Sequence, residues 1–299
     1  MPILKVILLA IVQGLAELLP VSSSAHVVVA EKLMGLDPSS PQMTLLLVML
    51  HTGTMFAVIV YFWKQWKDAY FTSAENFKRF LVNMIWATVL TGAVGYPLKK
   101  VIEKVMFHGA EKAELELLFS RLDLIAYALF AAGLLILFAG LRERGKEEFA
   151  EYRTNFGRSS DEITLGQAGI MGAVQGLALP FRGFSRSGTT ISAGLLVGAS
   201  RERADRFSFA MAVVLTPAVI AAEAHRLLKA AHEASATGAP IDLHASLTSS
   251  LIGMVLSFFA GLAALKWLSA WLEGGKWYLF GIYCLIASVV VFLLHHHGY

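Results

Sequence analysis

The sequence predicts an all-α polytopic membrane protein with six transmembrane helices and two re-entrant helix hairpins, arranged as an inverted-topology repeat. The first observation is composition, because 56% of the 299 residues are hydrophobic and only 16% are charged. That balance is more apolar than a soluble domain of this length shows. Long apolar runs also recur along the whole chain, and two shorter runs are interrupted by proline and serine. No linker separates a soluble domain, so we expect one membrane domain over residues 1–299.

Six apolar stretches are long enough to cross a hydrocarbon core of about 30 Å as helices. They cover residues 43–63, 80–98, 122–141, 207–226, 247–272 and 277–294. A charged loop over residues 142–164 separates a first repeat, about 1–141, from a second, about 165–294. Lys and Arg are more numerous in the loops 64–79 and 142–164 than on the side of the termini. This bias predicts that both termini lie outside the cell.

Two further apolar regions are predicted to enter the membrane and turn back. Residues 3–19 end at Pro20, and residues 165–179 end at Pro180; each is followed by a serine-containing break and a short helix, the second near 191–199. The sequence Val-Gln-Gly-Leu-Ala occurs in both regions, which indicates an internal repeat. Three spanning helices follow each hairpin, so the halves have opposite orientation if each hairpin returns to its own side. Irregular backbone at membrane depth needs surrounding protein or water, so the breaks should meet at a polar cavity.

The first hairpin carries candidate acid, base and hydroxyl groups. Gln13 and Glu17 are four residues apart and share one helix face, and a carboxylate inside the membrane usually lines a functional cavity. Ser22, Ser23 and Ser24 precede a short helix, where they either cap its first amides or, with those amides, bind an anion.

The second hairpin presents hydroxyls and a cation in the same way. Its helix is preceded by the run Ser185-Arg186-Ser187-Gly188-Thr189-Thr190. Arg186 has no basic counterpart in the first hairpin, and this asymmetry is typical of phosphoryl transfer, in which a cation stabilises charge that develops on the phosphoryl oxygens. A structural ion pair with Glu17 is the alternative for Arg186.

Histidines offer further proton carriers. His26 follows the serines closely enough to act as general base, general acid or nucleophile. His51, with Thr52 and Thr54, interrupts the second apolar run, where it either approaches the cavity or hydrogen-bonds across helices, and we favour the structural role. The single cysteine, Cys284, lies in an apolar run and is assigned to packing.

Two long motifs resemble a known family. Gln13-Gly14-Leu15-Ala16-Glu17 with Leu19-Pro20-Val21-Ser22-Ser23-Ser24-Ala25-His26, and later Gly183-Phe184-Ser185-Arg186-Ser187-Gly188-Thr189-Thr190, are similar to motifs of the undecaprenyl-pyrophosphate phosphatase, or bacitracin-resistance, family. The resemblance implies hydrolysis of undecaprenyl diphosphate in the cell membrane, at a site that opens outward, with a divalent cation such as Mg²⁺ or Ca²⁺. It matches Gln13 and Glu17 to a motif of the family, Ser23 to its nucleophile or phosphate ligand, His26 to its essential histidine and Arg186 to its phosphate-binding arginine, and it places Ser185, Ser187, Gly188 and Thr190 on its phosphate loop. With the residues read directly, we expect catalytic roles for Glu17, Ser23, His26 and Arg186, and a divalent ion or the base positioned by Glu17 and Gln13. Substrate contacts are expected from Gln13, Ser22, Ser24, Ser185, Ser187, Gly188, Thr189 and Thr190.

The expected partners are the polyprenyl diphosphate, the bilayer and a second copy in a homodimer, with no nucleic acid. Two features depart from the family pattern: Phe181 and Arg182 separate Pro180 from Gly183, and Ala25 replaces a common glycine.

The sequence leaves open whether Ser23 or His26 is the nucleophile. A polyprenyl-lipid flippase or anion transporter is the alternative function, since broken helices in inverted repeats also build transporters. The type 2 acid phosphatase class is disfavoured because no histidine follows Arg186 before His225.

Overall fold

The computed structural model of the protein describes residues 2–17, 19–107, 115–150, 163–236, 242–272 and 276–299. Over these residues the chain is helical and contains no strand. The helices are α1 Ile3–Glu17, α2 Ser23–Leu33, α3 Pro41–Tyr70, α4 Ala74–Phe107, α5 Leu122–Ala150, α6 Leu165–Ala178, α7 Arg186–Leu196, α8 Arg201–Ala236, α9 Leu243–Leu272 and α10 Trp277–His296, with a 3₁₀ helix at Leu115–Ser120.

Six helices in the described part of the chain are long and apolar enough to span a membrane: α3, α4, α5, α8, α9 and α10. Each predicted stretch falls within one of them, so the prediction of six spanning helices is confirmed. The helices extend beyond most of the predicted bounds because amphipathic and charged residues continue them past the apolar segment. Helix α5, for example, continues into the predicted 142–164 loop as far as Ala150, whereas residues 151–162 of that loop lie outside the described residues.

The four shorter helices form two consecutive pairs, α1 with α2 and α6 with α7, and the members of each pair contact one another. The prediction for the last of these helices needs a correction, because α7 occupies Arg186–Leu196 rather than residues near 191–199. It starts early because Ser185 caps it, accepting a hydrogen bond from the amide of Gly188 at 3.3 Å. Arg186 therefore lies in the first turn of a helix and not in a loop.

The short pairs pack against helices from the other half of the chain. Helix α1 lies along α9, α6 lies along α4, and α5 and α10 make the most extensive helix contact in the described structure. The glutamine of each repeated motif donates a hydrogen bond to a threonine hydroxyl of a long helix. Gln13 Nε2 donates to Thr54 Oγ1 at 3.5 Å, and Gln175 Nε2 donates to Thr91 Oγ1 at 3.3 Å. The repeated sequence motif therefore makes similar contacts at its two occurrences.

A glycine permits the closest approach between α3 and α9. A Cβ added at Gly53 would overlap the carbonyl oxygen of Met254 and the hydroxyl of Ser257, whereas a Cβ at Gly92 in α4 meets nothing within 4 Å. We expect Gly53→Ala to lower the free energy of unfolding by about 1–3 kcal/mol, because the helices must separate to accept the methyl group.

Gly92→Ala is the matched control, and it should leave stability unchanged or raise it slightly through its higher helix propensity. Thermal unfolding of both variants in the same detergent measures the difference. Equal stability of the two variants would contradict the packing described here.

Candidate active site

The two breaks between the short helices share an unusual backbone conformation. Ser22 has φ 67° and Ser185 has φ 48°, and they are the only non-glycine residues with positive φ in the described structure. Such a conformation is strained for an L-residue and is often found at functional sites. The breaks also touch each other, because a Cβ added at Gly188 would lie 2.9 Å from the carbonyl oxygen of Pro20. The starts of α2 and α7 are thus brought together.

A hydrogen-bonded cluster around Glu17 lies where the breaks meet. The Glu17 side chain is almost fully buried, and Arg186 Nη2 donates to its Oε1 at 2.8 Å. Gln13 Nε2 donates to Oε2 at 2.8 Å, and the hydroxyl of Ser23 donates to the same oxygen. Because a buried charge needs an opposite charge and hydrogen bonds, Glu17 and Arg186 hold the two pairs of short helices together. The structure therefore brings Gln13, Glu17, Ser23 and Arg186 into one constellation.

His51, for which the sequence favoured a structural role, also contacts this cluster. Its Nε2 lies 3.3 Å from Glu17 Oε2 and 3.4 Å from Ser23 Oγ. Its Nδ1 lies 2.8 Å from the carbonyl oxygen of Leu47; because a carbonyl oxygen only accepts, Nδ1 carries a hydrogen. Nε2 is therefore the ring nitrogen that faces the carboxylate of Glu17 and the hydroxyl of Ser23. A polar residue inside an apolar run was the available signal for this role.

Glu17, His51 and Arg186 of this cluster line a cavity of about 230 Å³, whereas Gln13 and Ser23 lie behind them and do not line it. Its polar and charged lining comes from both halves of the chain, and the rest is mostly apolar, as expected for a site that takes a lipid headgroup or another amphipathic ligand. The polar and charged residues that line it are Glu17, Ser24, His51, Arg182, Ser185, Arg186, Thr216 and Glu223. Arg186 offers a ready donor here, because its buried Nη1 has no hydrogen-bond partner among the described residues.

His26 does not line this cavity. Its Nδ1 lies 2.8 Å from the carbonyl oxygen of Ser22, and its Nε2 lies 2.7 Å from the hydroxyl of Tyr283. The carbonyl only accepts, so Nδ1 carries a hydrogen and Nε2 accepts from the tyrosine. His26 thus supports the turn that presents Ser23 to Glu17.

The remaining predicted substrate contacts divide into two groups. Ser24 and Ser185 line the cavity, whereas Thr189 and Thr190 bond to carbonyl oxygens of their own helix, at 3.0 Å to Ser185 and 2.8 Å to Arg186. The others lie at the helix starts without lining the cavity: Ser22, whose hydroxyl is 3.4 Å from that of Ser24, and the buried Ser187 and Gly188. The roles of all these residues stay predictions.

The predicted divalent cation has a plausible set of donors. Gln13 Oε1 is buried and accepts no hydrogen bond from the described residues, and it adjoins the carboxylate of Glu17. The described part of the chain contains no group of three or more His, Cys, Asp and Glu residues that would hold a metal by itself. Mg²⁺ is commonly bound by one or two carboxylates together with substrate phosphates and water. Both oxygens of Glu17 already accept hydrogen bonds from Arg186, Gln13 and Ser23, so a divalent cation at Glu17 and Gln13 stays a prediction.

The strained turn at Ser22 yields a stability prediction. Ser22 makes no side-chain cap hydrogen bond, so its side chain does not offset the cost of the left-handed backbone. We expect Ser22→Gly to be more stable than Ser22→Ala by about 1 kcal/mol, since only glycine adopts this conformation without strain. Chemical or thermal unfolding of the two variants measures the difference, and an alanine variant as stable as the glycine variant would show that the turn is not strained.

Comparison with known proteins shows the family of this chain. Residues 6–290 match the family described as "Bacitracin resistance protein BacA". The chain is 56% identical over 295 residues to undecaprenyl-diphosphatase 2 of Acinetobacter baylyi, with 98% of each chain covered. It is 32% identical to the undecaprenyl-diphosphatase of Desulfatibacillum aliphaticivorans, covering 96% of this chain and 97% of the relative, and 32% identical to that of Halothermothrix orenii, covering 98% of both. The chain therefore belongs to the bacitracin resistance protein BacA family.

Proposed function

We propose that this protein is an integral membrane phosphatase that hydrolyses undecaprenyl diphosphate to undecaprenyl phosphate and inorganic phosphate, and so recycles the lipid carrier for cell-wall synthesis. The observation that carries the proposal is the constellation of Ser23, Glu17 and Arg186 beside a cavity that spans both halves of the chain. The full-length relatives named undecaprenyl-diphosphatase support the same substrate.

Ser23 is the nucleophile in the mechanism that this geometry supports. Its hydroxyl already donates to Glu17, so the carboxylate is placed to take the proton as Ser23 Oγ attacks the terminal phosphorus. The bond between that phosphorus and the bridging oxygen breaks, undecaprenyl phosphate leaves, and water then hydrolyses the phosphoserine. His51 Nε2 lies beside the same hydroxyl and the same carboxylate, where it can accept or return the proton.

Arg186 and the starts of α2 and α7 bind the phosphate oxygens. Arg186 keeps one nitrogen on Glu17 while its Nη1 is available for a phosphoryl oxygen. Free amides and the positive end of the dipole at a helix start favour the same anion. A divalent cation held by Glu17 and Gln13 would neutralise further charge on the phosphate oxygens.

We also propose that α1–α2 and α6–α7 are re-entrant hairpins related by an inverted repeat. The recurring sequence motif, the related glutamine contacts and the shared left-handed turns at Ser22 and Ser185 support it. With both termini outside, as the Lys and Arg bias predicts, the protein lies in the bacterial cell membrane with the cavity open to the outer side. A homodimer stays a prediction.

Phosphate release by the purified protein in detergent, from a polyprenyl diphosphate with Mg²⁺ or Ca²⁺, tests the function. Wild-type protein should release phosphate, and a chelator should abolish the release. Ser23→Ala and Arg186→Ala should each lower kcat by at least about a hundredfold, since one loses the nucleophile and the other the cation that stabilises developing charge. Arg79→Ala removes an exposed arginine of α4 and is the matched control.

Arg186→Ala leaves the charge of Glu17 without its nearest cation, so the fold itself needs checking. Arg186→Lys retains a positive charge, and the unfolding temperature of each variant separates a folding defect from a catalytic one. A folded wild-type protein that binds the lipid diphosphate but releases no phosphate would favour the flippase or transporter.

The two candidate nucleophiles are separated by substitutions at His26. If His26 supports the Ser22 turn through Nδ1, His26→Asn keeps a donor near that carbonyl and should retain activity within a few-fold, whereas His26→Ala should lose about tenfold or more. Steady-state kcat for both variants tests this prediction. Equal inactivation by Asn and Ala, together with a phosphorylated histidine intermediate, would move the nucleophile from Ser23 to His26.

A further inference from the structure

A second arginine lines the cavity beside Arg186. Arg182 lies in the segment between α6 and α7, at the position where the chain departs from the family motif, and it shares the cavity wall with Glu17, Ser185 and Arg186. The mechanism proposed above makes no use of this cation. Its position four residues before Arg186 places two guanidinium groups around one cavity.

The backbone and an aromatic ring hold Arg182 in place. Its Cζ lies 3.8 Å from the centre of the Phe119 ring, a cation–π contact. The next residue, Gly183, has φ 105°, and a Cβ there would meet the carbonyl oxygen of Ile125 at 2.5 Å. The segment thus packs directly on α5, and this contact restricts where the Arg182 backbone can move.

A buried carboxylate acts on Arg182 from the first hairpin. Glu31 on α2 is fully buried, and neither of its carboxylate oxygens has a hydrogen-bond partner among the described residues. The positive charge of Arg182 stabilises the ionised form of this carboxylate, and α2 packs against the 3₁₀ helix whose Phe119 ring lies against Arg182. Because an isolated buried carboxylate is strongly unfavourable, the ionised form of Glu31 favours a cation nearby.

We propose that Arg182, positioned by Glu31, is a second anion-binding residue of the cavity, and that it binds one phosphate group of the diphosphate while Arg186 binds the other. This inference rests on the proposed function. Two cations match a ligand with charge on two phosphate groups, whereas a monophosphate occupies only one of them. Arg182 therefore contributes to the preference for a diphosphate headgroup, and Glu31 is a positioning residue that acts through Arg182.

Inhibition by inorganic pyrophosphate and by inorganic phosphate tests the proposal. Each is titrated against turnover of farnesyl diphosphate by the wild type, Arg182→Gln and Glu31→Gln, with Arg79→Gln and Glu75→Gln, from an exposed ion pair on α4, as matched controls. Arg182→Gln should raise both the Ki of pyrophosphate and the KM of the diphosphate by about tenfold or more, the loss expected for one charge-assisted contact. The Ki of phosphate and kcat should change by less than about threefold.

Glu31→Gln should raise the Ki of pyrophosphate and the KM of the diphosphate by a smaller factor than Arg182→Gln does. In the double variant it should cause little further rise beyond that of Arg182→Gln alone, because the two residues act as one unit. Arg182→Lys should recover part of the pyrophosphate affinity. Equal changes in the Ki of pyrophosphate and the Ki of phosphate would overturn the proposal. So would a lower unfolding temperature with an unchanged ratio of these two Ki values, because Arg182 and Glu31 would then contribute only to the stability of the fold.

A binding measurement keeps this result separate from the proposed function. The rise in unfolding temperature that pyrophosphate causes in detergent requires no turnover. If the wild type releases no phosphate but Arg182→Gln selectively loses the pyrophosphate-induced rise, the phosphatase proposal fails and the second anion site stands. If the wild type is active and Arg182→Gln binds pyrophosphate normally, the anion site fails and the phosphatase stands.

Discussion

The architecture depends on one buried carboxylate and the cation that compensates it. Glu17 ends α1 and Arg186 begins α7, and their side chains are 2.8 Å apart in a largely buried surrounding. Removing one partner of such a pair leaves an uncompensated buried charge, at a cost of about 3–5 kcal/mol. The two helix breaks must therefore stay in contact for the protein to be stable. The same pair places Ser23 beside an acceptor and leaves Nη1 of the arginine available for an anion.

Small residues allow the short helices to approach their partners closely enough for this contact. A Cβ added at Gly14 would overlap Ala260 and Gly261 of α9, and a Cβ at Gly176 would overlap Thr91 of α4. Apolar burial between helices gives little driving force inside lipid, so close van der Waals packing and hydrogen bonds between helices take its place. The glycines of the repeated motif thus contribute to the position of the site as directly as the charged residues do.

The sequence predicted the spanning helices and the polar cluster, and it misjudged local details that depend on neighbours. The six spanning helices follow from apolar length, a property that each segment carries by itself. Helix α7 starts at Arg186 because Ser185 adopts a left-handed turn and caps it, and the apolar pattern carries no sign of that turn. The sequence left open whether His51 approaches the cavity or bonds across helices, and the fold brings it into the cavity lining and within 3.4 Å of Ser23.

The sequence by itself determined which chemical groups the membrane interior contains: a carboxylate, a cation and hydroxyls placed next to helix breaks. Spacing along one helix also determined that Gln13 and Glu17 share a face. Tertiary structure alone decided which histidine meets them, because His26 turns toward Tyr283 on α10 while α3 brings His51 to Glu17. It likewise decided that Arg182 and Arg186 line the same cavity as Glu17. These pairings join residues far apart in the chain, and their geometry is set by how whole helices pack, which no local pattern encodes.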